Sequence, residues 1–192
     1  SKRLLDTKYS AQIESDFESI RSQLETFLNQ GKNVYVFAGK DEGCYIDKKN
    51  SLDEYEFISP FSFLPLKNLS SSTLFGDTFE LVDSKYRLLF DKFKPYMAYK
   101  SVLKSKSISP IIKIPGTNSI IGGYFEFGSG KIIILPYVPA LVGRGKKLYD
   151  VKKELFEALY DFDEHLNDKV ETVAEIPPWV DDYTILNEEN EI

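Results

Sequence analysis

At 192 residues, with 42% hydrophobic and 14% aromatic side chains, the chain carries enough apolar material to bury a core, which excludes wholesale disorder. Its single cysteine, Cys44, excludes an internal disulfide and fits a reducing compartment. The net charge of −6 is unevenly placed: residues 171–192 hold seven acids and no Lys or Arg, residues 1–170 sum to +1, and no basic nucleic-acid footprint is present.

The opening Ser-Lys-Arg-Leu-Leu-Asp has no signal-peptide h-region. No apolar run reaches the ~20 residues of a membrane-spanning helix, and the longest, Ile132 to Val142, contains two prolines. A cytoplasmic location without membrane contact is expected. Residues 10–30 read as an amphipathic helix. Ile13, Phe17, Ile20, Leu24, Phe27 and Leu28 form one stripe, with Ser10 as cap and Gly31 as stop. Asn33 to Gly39 is short, β-branched and aromatic, with apolar residues on both faces, as in a strand covered on two sides.

Residues 40–76 read as irregular. Ser59 to Pro65 is too proline-broken for a central strand and too apolar for a free loop, so it is expected to cover one edge of the sheet. Leu69 to Gly76 reads as a loop and Thr78 to Val82 as a short strand. Lys85 to Phe93 reads as a short helix with Leu88, Leu89 and Phe93 inward, and Tyr96 to Lys104 as a strand. Strands are expected at Pro110 to Ile114, Ile120 to Phe127 and Lys131 to Leu135, the last two joined by the tight Gly128-Ser-Gly130 connection. Gly122-Gly123 predicts a bulge or a close backbone approach. Lys147 to Leu166 is a second amphipathic helix, with Leu148, Val151, Leu155, Leu159, Phe162 and Leu166 as its stripe.

These elements predict an α/β fold: a three-layer sandwich whose mixed sheet has a parallel core and an antiparallel extension. The domain is expected to span 1–170. A stiff Pro-Trp arm, Ile176-Pro-Pro-Trp179, and an acidic tail or linker fill 171–192.

The helix–Gly–strand unit at 10–39, the Phe-Leu-Pro at 63–65, the hairpin from Tyr124 to Pro136, the helix after it and Ile-Pro-Pro-Trp at 176–179 together resemble class I glutamine-amidotransferase-like domains within larger bacterial proteins. The resemblance implies an amidotransferase/flavodoxin-like scaffold in a modular setting, with other domains of the same polypeptide or a protein partner nearby. It does not imply a reaction.

An amidotransferase needs a cysteine on a strand-to-helix elbow, Gly-x-Cys-x-Gly, with a histidine base and an orienting carboxylate. Here Cys44 sits in Gly43-Cys-Tyr-Ile46, without the second glycine. The only histidine, His165, lies on the second amphipathic helix, and Asn167 stands two residues on, where a carboxylate belongs. No nucleophile–base set is therefore legible. One His and one Cys do not make a zinc site. Asp41, Glu42, Asp47 and Asp53 read as solvated loop acids, with an oxygen-ligated divalent ion as the sharper alternative. No cofactor motif stands out.

The best polar candidate is Gly143-Arg144-Gly145-Lys146-Lys147, which follows a strand and opens a helix. Helix-start amides with three cations suit a phosphate or carboxylate, although the Walker spacing is absent. The bland reading is a wet, flexible loop. Trp179 reads as an anchor, either for a partner or for the arm itself. Three functions remain open: a non-catalytic binding or regulatory module, an enzyme on a phosphorylated or nucleotide substrate, and a self-association domain using the 59–66 segment or the strand edge at 96–104.

Overall fold

The computed structural model describes residues 3–4, 7–39, 43–47, 55–138 and 146–167. In chain order the strands and α-helices are β1 (Arg3–Leu4), α1 (Thr7–Asn29), β2 (Val34–Ala38), β3 (Cys44–Asp47), β4 (Tyr55–Ile58), β5 (Ser70–Gly76), β6 (Glu80–Leu81), α2 (Arg87–Phe93), β7 (Tyr99–Lys104), β8 (Ser109–Lys113), β9 (Ile120–Phe127), β10 (Gly130–Pro136) and α3 (Lys146–Asn167). The chain is α/β, with a curled mixed sheet and helices packed on both of its faces.

The helices sit where the 3.6-residue periodicity predicts them. α1 ends in a Schellman motif: Gly31 takes φ +82°, the Gly31 amide donates to Leu28 O (3.0 Å) and the Lys32 amide to Phe27 O (3.4 Å). Its start differs from expectation. Helix begins at Thr7, and Ser10, expected as the cap, lies inside it and is fully buried. In the stripe, Leu28 is buried, whereas Ile20 and Phe27 are exposed.

The sheet is organised around β10, whose Ile132, Ile133 and Ile134 are all fully buried. Alternation sends Ile132 and Ile134 to one face, with Leu28 of α1, and Ile133 and Leu135 to the other, with α2 and α3. Burial of each isoleucine contributes about 2–3 kcal/mol. β2 pairs parallel to β10 from Val34–Ile132 to Ala38–Pro136. This is the one parallel pair of the main sheet among the described residues, so the expected parallel core is narrow and most of the sheet is antiparallel. β2 stands at the end of the strand order, and Val34 to Phe37 are half-buried rather than enclosed on both sides.

β9 explains the curl. Gly123 and Tyr124 pair with β8 on one edge and with β10 on the other, and Ile120 pairs with both β8 and β7. A residue has one partner per edge, so β10 and β7 share an edge of β9. The two then part, and only Ala98 bridges back to Tyr137 beyond β10. The adjacent glycines permit this crowding. A Cβ on Gly123 would lie 2.7 Å from both Ile108 Cγ1 and Ser109 O, and β8 is irregular opposite Gly122 and Gly123. Gly123→Ala is expected to destabilise the chain by about 1–3 kcal/mol, read as a lower urea midpoint at unchanged m-value.

The 59–66 segment is a cover, as its composition suggests, but it lies against a face of the sheet rather than an edge. Phe61 and Leu64 join the cluster around Ile132 and Ile134. Phe17 of α1 packs edge-on against Phe63 at 6.0 Å, and Arg21 donates to Ser62 O.

Other expectations need correction. Within 40–76, Cys44–Asp47 and Tyr55–Ile58 form an antiparallel hairpin that β1 extends in parallel. Leu69 to Gly76 is largely β5, because pairing with β7 overrides a Ser-rich, turn-prone composition. In α2, Leu89, Phe90 and Phe93 are buried and Leu88 is 63% exposed, since a seven-residue helix has room for only one inward row. The segment at 96–104 is not a sheet edge. Its strand begins at Tyr99 and lies between β5 and β9.

Candidate functional site

The parallel pair defines two ends of the sheet, and each holds a polar cluster. At the amino ends, α3 docks onto β2. Asp163 Oδ1 accepts from Asn33 Nδ2 (2.7 Å) and from the Tyr35 hydroxyl (2.8 Å), and Asn33 Oδ1 accepts from the Lys131 amide (3.0 Å). Burial, and then the Asp163 carboxylate, push the Tyr35 phenol far above its ordinary range, because ionisation would set a phenolate against a carboxylate in a poorly hydrated place. Tyr86, whose ring meets those of Tyr124 (5.8 Å) and Phe162 (5.3 Å) in tilted contacts, is pushed up as well, by burial first and then by Tyr124, Asp83 and Glu126. Sequence reading missed this cluster. Its signal was Asp163 itself, an acid beside the apolar stripe of Leu159 and Phe162.

At the carboxyl ends, β2 gives way to Gly39 and β10 to Tyr137. The Ser101 hydroxyl, in a residue only 2% exposed, donates to Gly39 O (3.2 Å). Ala98 N donates to Tyr137 O (2.8 Å), and Lys100 Nζ stands 3.8 Å from the centroid of the Tyr137 ring. Asp163, near the end of α3, reaches Asn33 at the amino end. Lys146 and Lys147 open α3. Gly143, Arg144 and Gly145 lie outside the described residues, as does Trp179 with the whole of 171–192.

The remaining candidates separate. Cys44 begins β3, opposite Ile58, and is half-buried. A Cβ on Gly43 would run into the Phe57 ring, so the glycine before the cysteine serves close packing of the hairpin. His165 is exposed in the last turn of α3. β3 contacts α1 on one side of the sheet, and α3 packs on the opposite face. Asp47 closes β3, while Asp41, Glu42 and Asp53 lie outside the described residues. Among the described residues no three His, Cys, Asp or Glu side chains group to hold a metal ion, and no helix is long and apolar enough to cross a membrane.

Comparison with protein-family models, with curated proteins and with solved structures finds no match to this chain.

Proposed function

We propose that the chain is a non-catalytic binding or regulatory module of a larger bacterial protein, built on an amidotransferase/flavodoxin-like three-layer scaffold and taking a small anionic ligand at the carboxyl end of the β2/β10 pair. The observation that supports this reading is Lys100 held 3.8 Å from the Tyr137 ring just past the end of β10, with the sequence cluster Gly143–Lys147 following a few residues later at the opening of α3. Open α/β sheets bind ligands beyond the carboxyl ends of their parallel strands, where helix-start amides point outward. The nearly neutral body of the protein, +1 over residues 1–170, leaves such a cluster of cations without a large opposing field.

Thermal-shift measurement against inorganic phosphate, nucleotides, phosphosugars and amino acids tests the reading. A phosphate-bearing ligand at a hundredfold excess over its Kd is expected to raise the Tm of the wild type by about 5–10 °C. The double variant Arg144→Ala, Lys146→Ala should lose that shift, and Lys100→Ala should reduce it. Equal shifts in all three proteins would remove the anion site from the proposal. A glutaminase activity abolished by Cys44→Ala would overturn the non-catalytic reading itself.

A further inference from the structure

α2 and the 3-10 turns at its two ends, Ser84–Tyr86 and Lys94–Tyr96, give the segment 84–96 two faces. Tyr86, Leu89, Phe90 and Phe93 are buried. Lys85, Arg87, Leu88, Asp91, Lys92 and Lys94 are exposed, four cations against one acid. Among the described residues none of Lys85, Arg87 and Lys92 is ion-paired. Leu88, at 63%, is the most exposed large apolar side chain among the described residues. The same chain carries the opposite charge. Residues 171–192 hold seven acids, no Lys or Arg, and the only tryptophan, Trp179. The chain leaves α3 beside this face. The Tyr86 ring lies 5.3 Å from that of Phe162, five residues before the end of α3, so the helix ends about 8 Å of rise further on. Trp179 follows Asn167 by twelve residues, a span of up to about 40 Å when extended, so reach does not limit a contact.

We propose that the acidic Pro-Trp arm, 171–192, docks on the exposed face of α2 within the same chain, its carboxylates on the cations of 85–94 and Trp179 against Leu88. Opposite charge supplies the attraction, and tethering raises the arm's effective concentration at this face above that of any free acidic segment. Burial of the indole against a leucine adds a short-range contribution that salt does not screen. The inner row of α2 is already committed to the core, so docking uses side chains that the fold itself does not need. A contact held mainly by surface charge is also displaceable. A second acidic partner of α2, or a basic partner of the arm, competes for it, and the arm thereby regulates access to the cationic face.

Because Trp179 is the only tryptophan, its fluorescence reads the contact without a label. The experiment is quenching of the full chain by acrylamide, which is uncharged. At low salt, quenching is expected to stay well below that of the urea-unfolded chain. About 1 M NaCl, where the Debye length falls to about 3 Å, should raise it. Lys85→Glu with Lys92→Glu should raise it at low salt, shifting the ratio of docked to free arm roughly tenfold. Leu88→Ala should raise it in part. Lys104→Glu with Lys106→Glu, the same change of charge at two other exposed lysines, should leave it unchanged. All five positions are exposed, and unchanged circular dichroism checks that the variants fold. Four outcomes would each overturn the proposal: low-salt quenching equal to that of the unfolded chain, indifference to the Lys85 and Lys92 reversal, an equal response to the Lys104 and Lys106 reversal, or protection that grows with protein concentration and so comes from a second copy.

Discussion

Truncating Ile133 to alanine is expected to lower the unfolding free energy by about 4 kcal/mol, a large share of the stability of a domain this size. The side chain is fully buried in β10, in the same cluster as Phe93 of α2 and Phe162 of α3. Two packed helices must move together to fill the space it leaves, and a strand paired on both edges cannot shift to help them. Collapse is therefore partial, and the cavity cost adds to the lost transfer energy. Leu88→Ala is the control. Its side chain is mostly exposed on α2, so its loss should change stability by less than about 0.5 kcal/mol. Urea unfolding of the two variants, compared at equal m-value, checks the pair. A similar cost at both positions would contradict the inward row Leu89, Phe90, Phe93.

The second large effect is alkaline. The phenols of Tyr35 and Tyr86 ionise more readily in the unfolded chain, near the ordinary value of 10.0, than in the fold, where both are pushed up. The sign follows. Below about pH 10 both states hold the protons and the contribution of each group is fully present. Above it the unfolded chain gives up protons that the fold retains. Stability then falls by about 1.4 kcal/mol per pH unit for each tyrosine, as pH rises toward the folded-state values. Denaturant midpoints taken from pH 8 upward should be flat at first and then drop steeply. Tyr35→Phe should remove about half of that slope. Asp163→Ala leaves both the Asn33 amide and the Tyr35 hydroxyl without this acceptor, and should cost about 3 kcal/mol at neutral pH. It should also lower the pH at which the Tyr35 contribution to the alkaline drop ends, because the carboxylate that opposes phenolate formation is gone. An unchanged slope in Tyr35→Phe would show that the steepness arises from other groups.

The helices and the cover segment were legible because their signals are local. A stripe at 3.6-residue spacing, a glycine able to take positive φ at position 31, and prolines bracketing Phe61 to Leu64 act within a few residues of themselves. The β9–β10 hairpin was legible for the same reason: the Gly128-Ser129 turn sits between two strongly apolar runs. β5 was not, because nothing in Ser-Ser-Ser-Thr prefers an extended chain, and only its pairing with β7, some thirty residues on, makes it one. Leu88 and Leu89 could not be told apart, since a seven-residue helix leaves its rotation to whatever it packs on.

For the candidate sites the division is similar. The cations at 143–147 were readable as a cluster by adjacency, whereas the neighbourhood of Lys100 and Tyr137 exists only because β7 and β10 meet beyond the point where they part from β9. The union of Asn33, Tyr35 and Asp163 spans 130 residues of chain and depends on α3 bringing Asp163 to the start of β2. The order of amino acids alone determined which segments become helix, which apolar runs fill the middle, and that Cys44 lacks an elbow of glycines. Folding in three dimensions decided which strand is an edge, which leucine faces water and which polar groups share one carboxylate. The physical reason is range: backbone preference and side-chain period act over a few residues, whereas pairing and burial act between segments whose meeting no local pattern encodes.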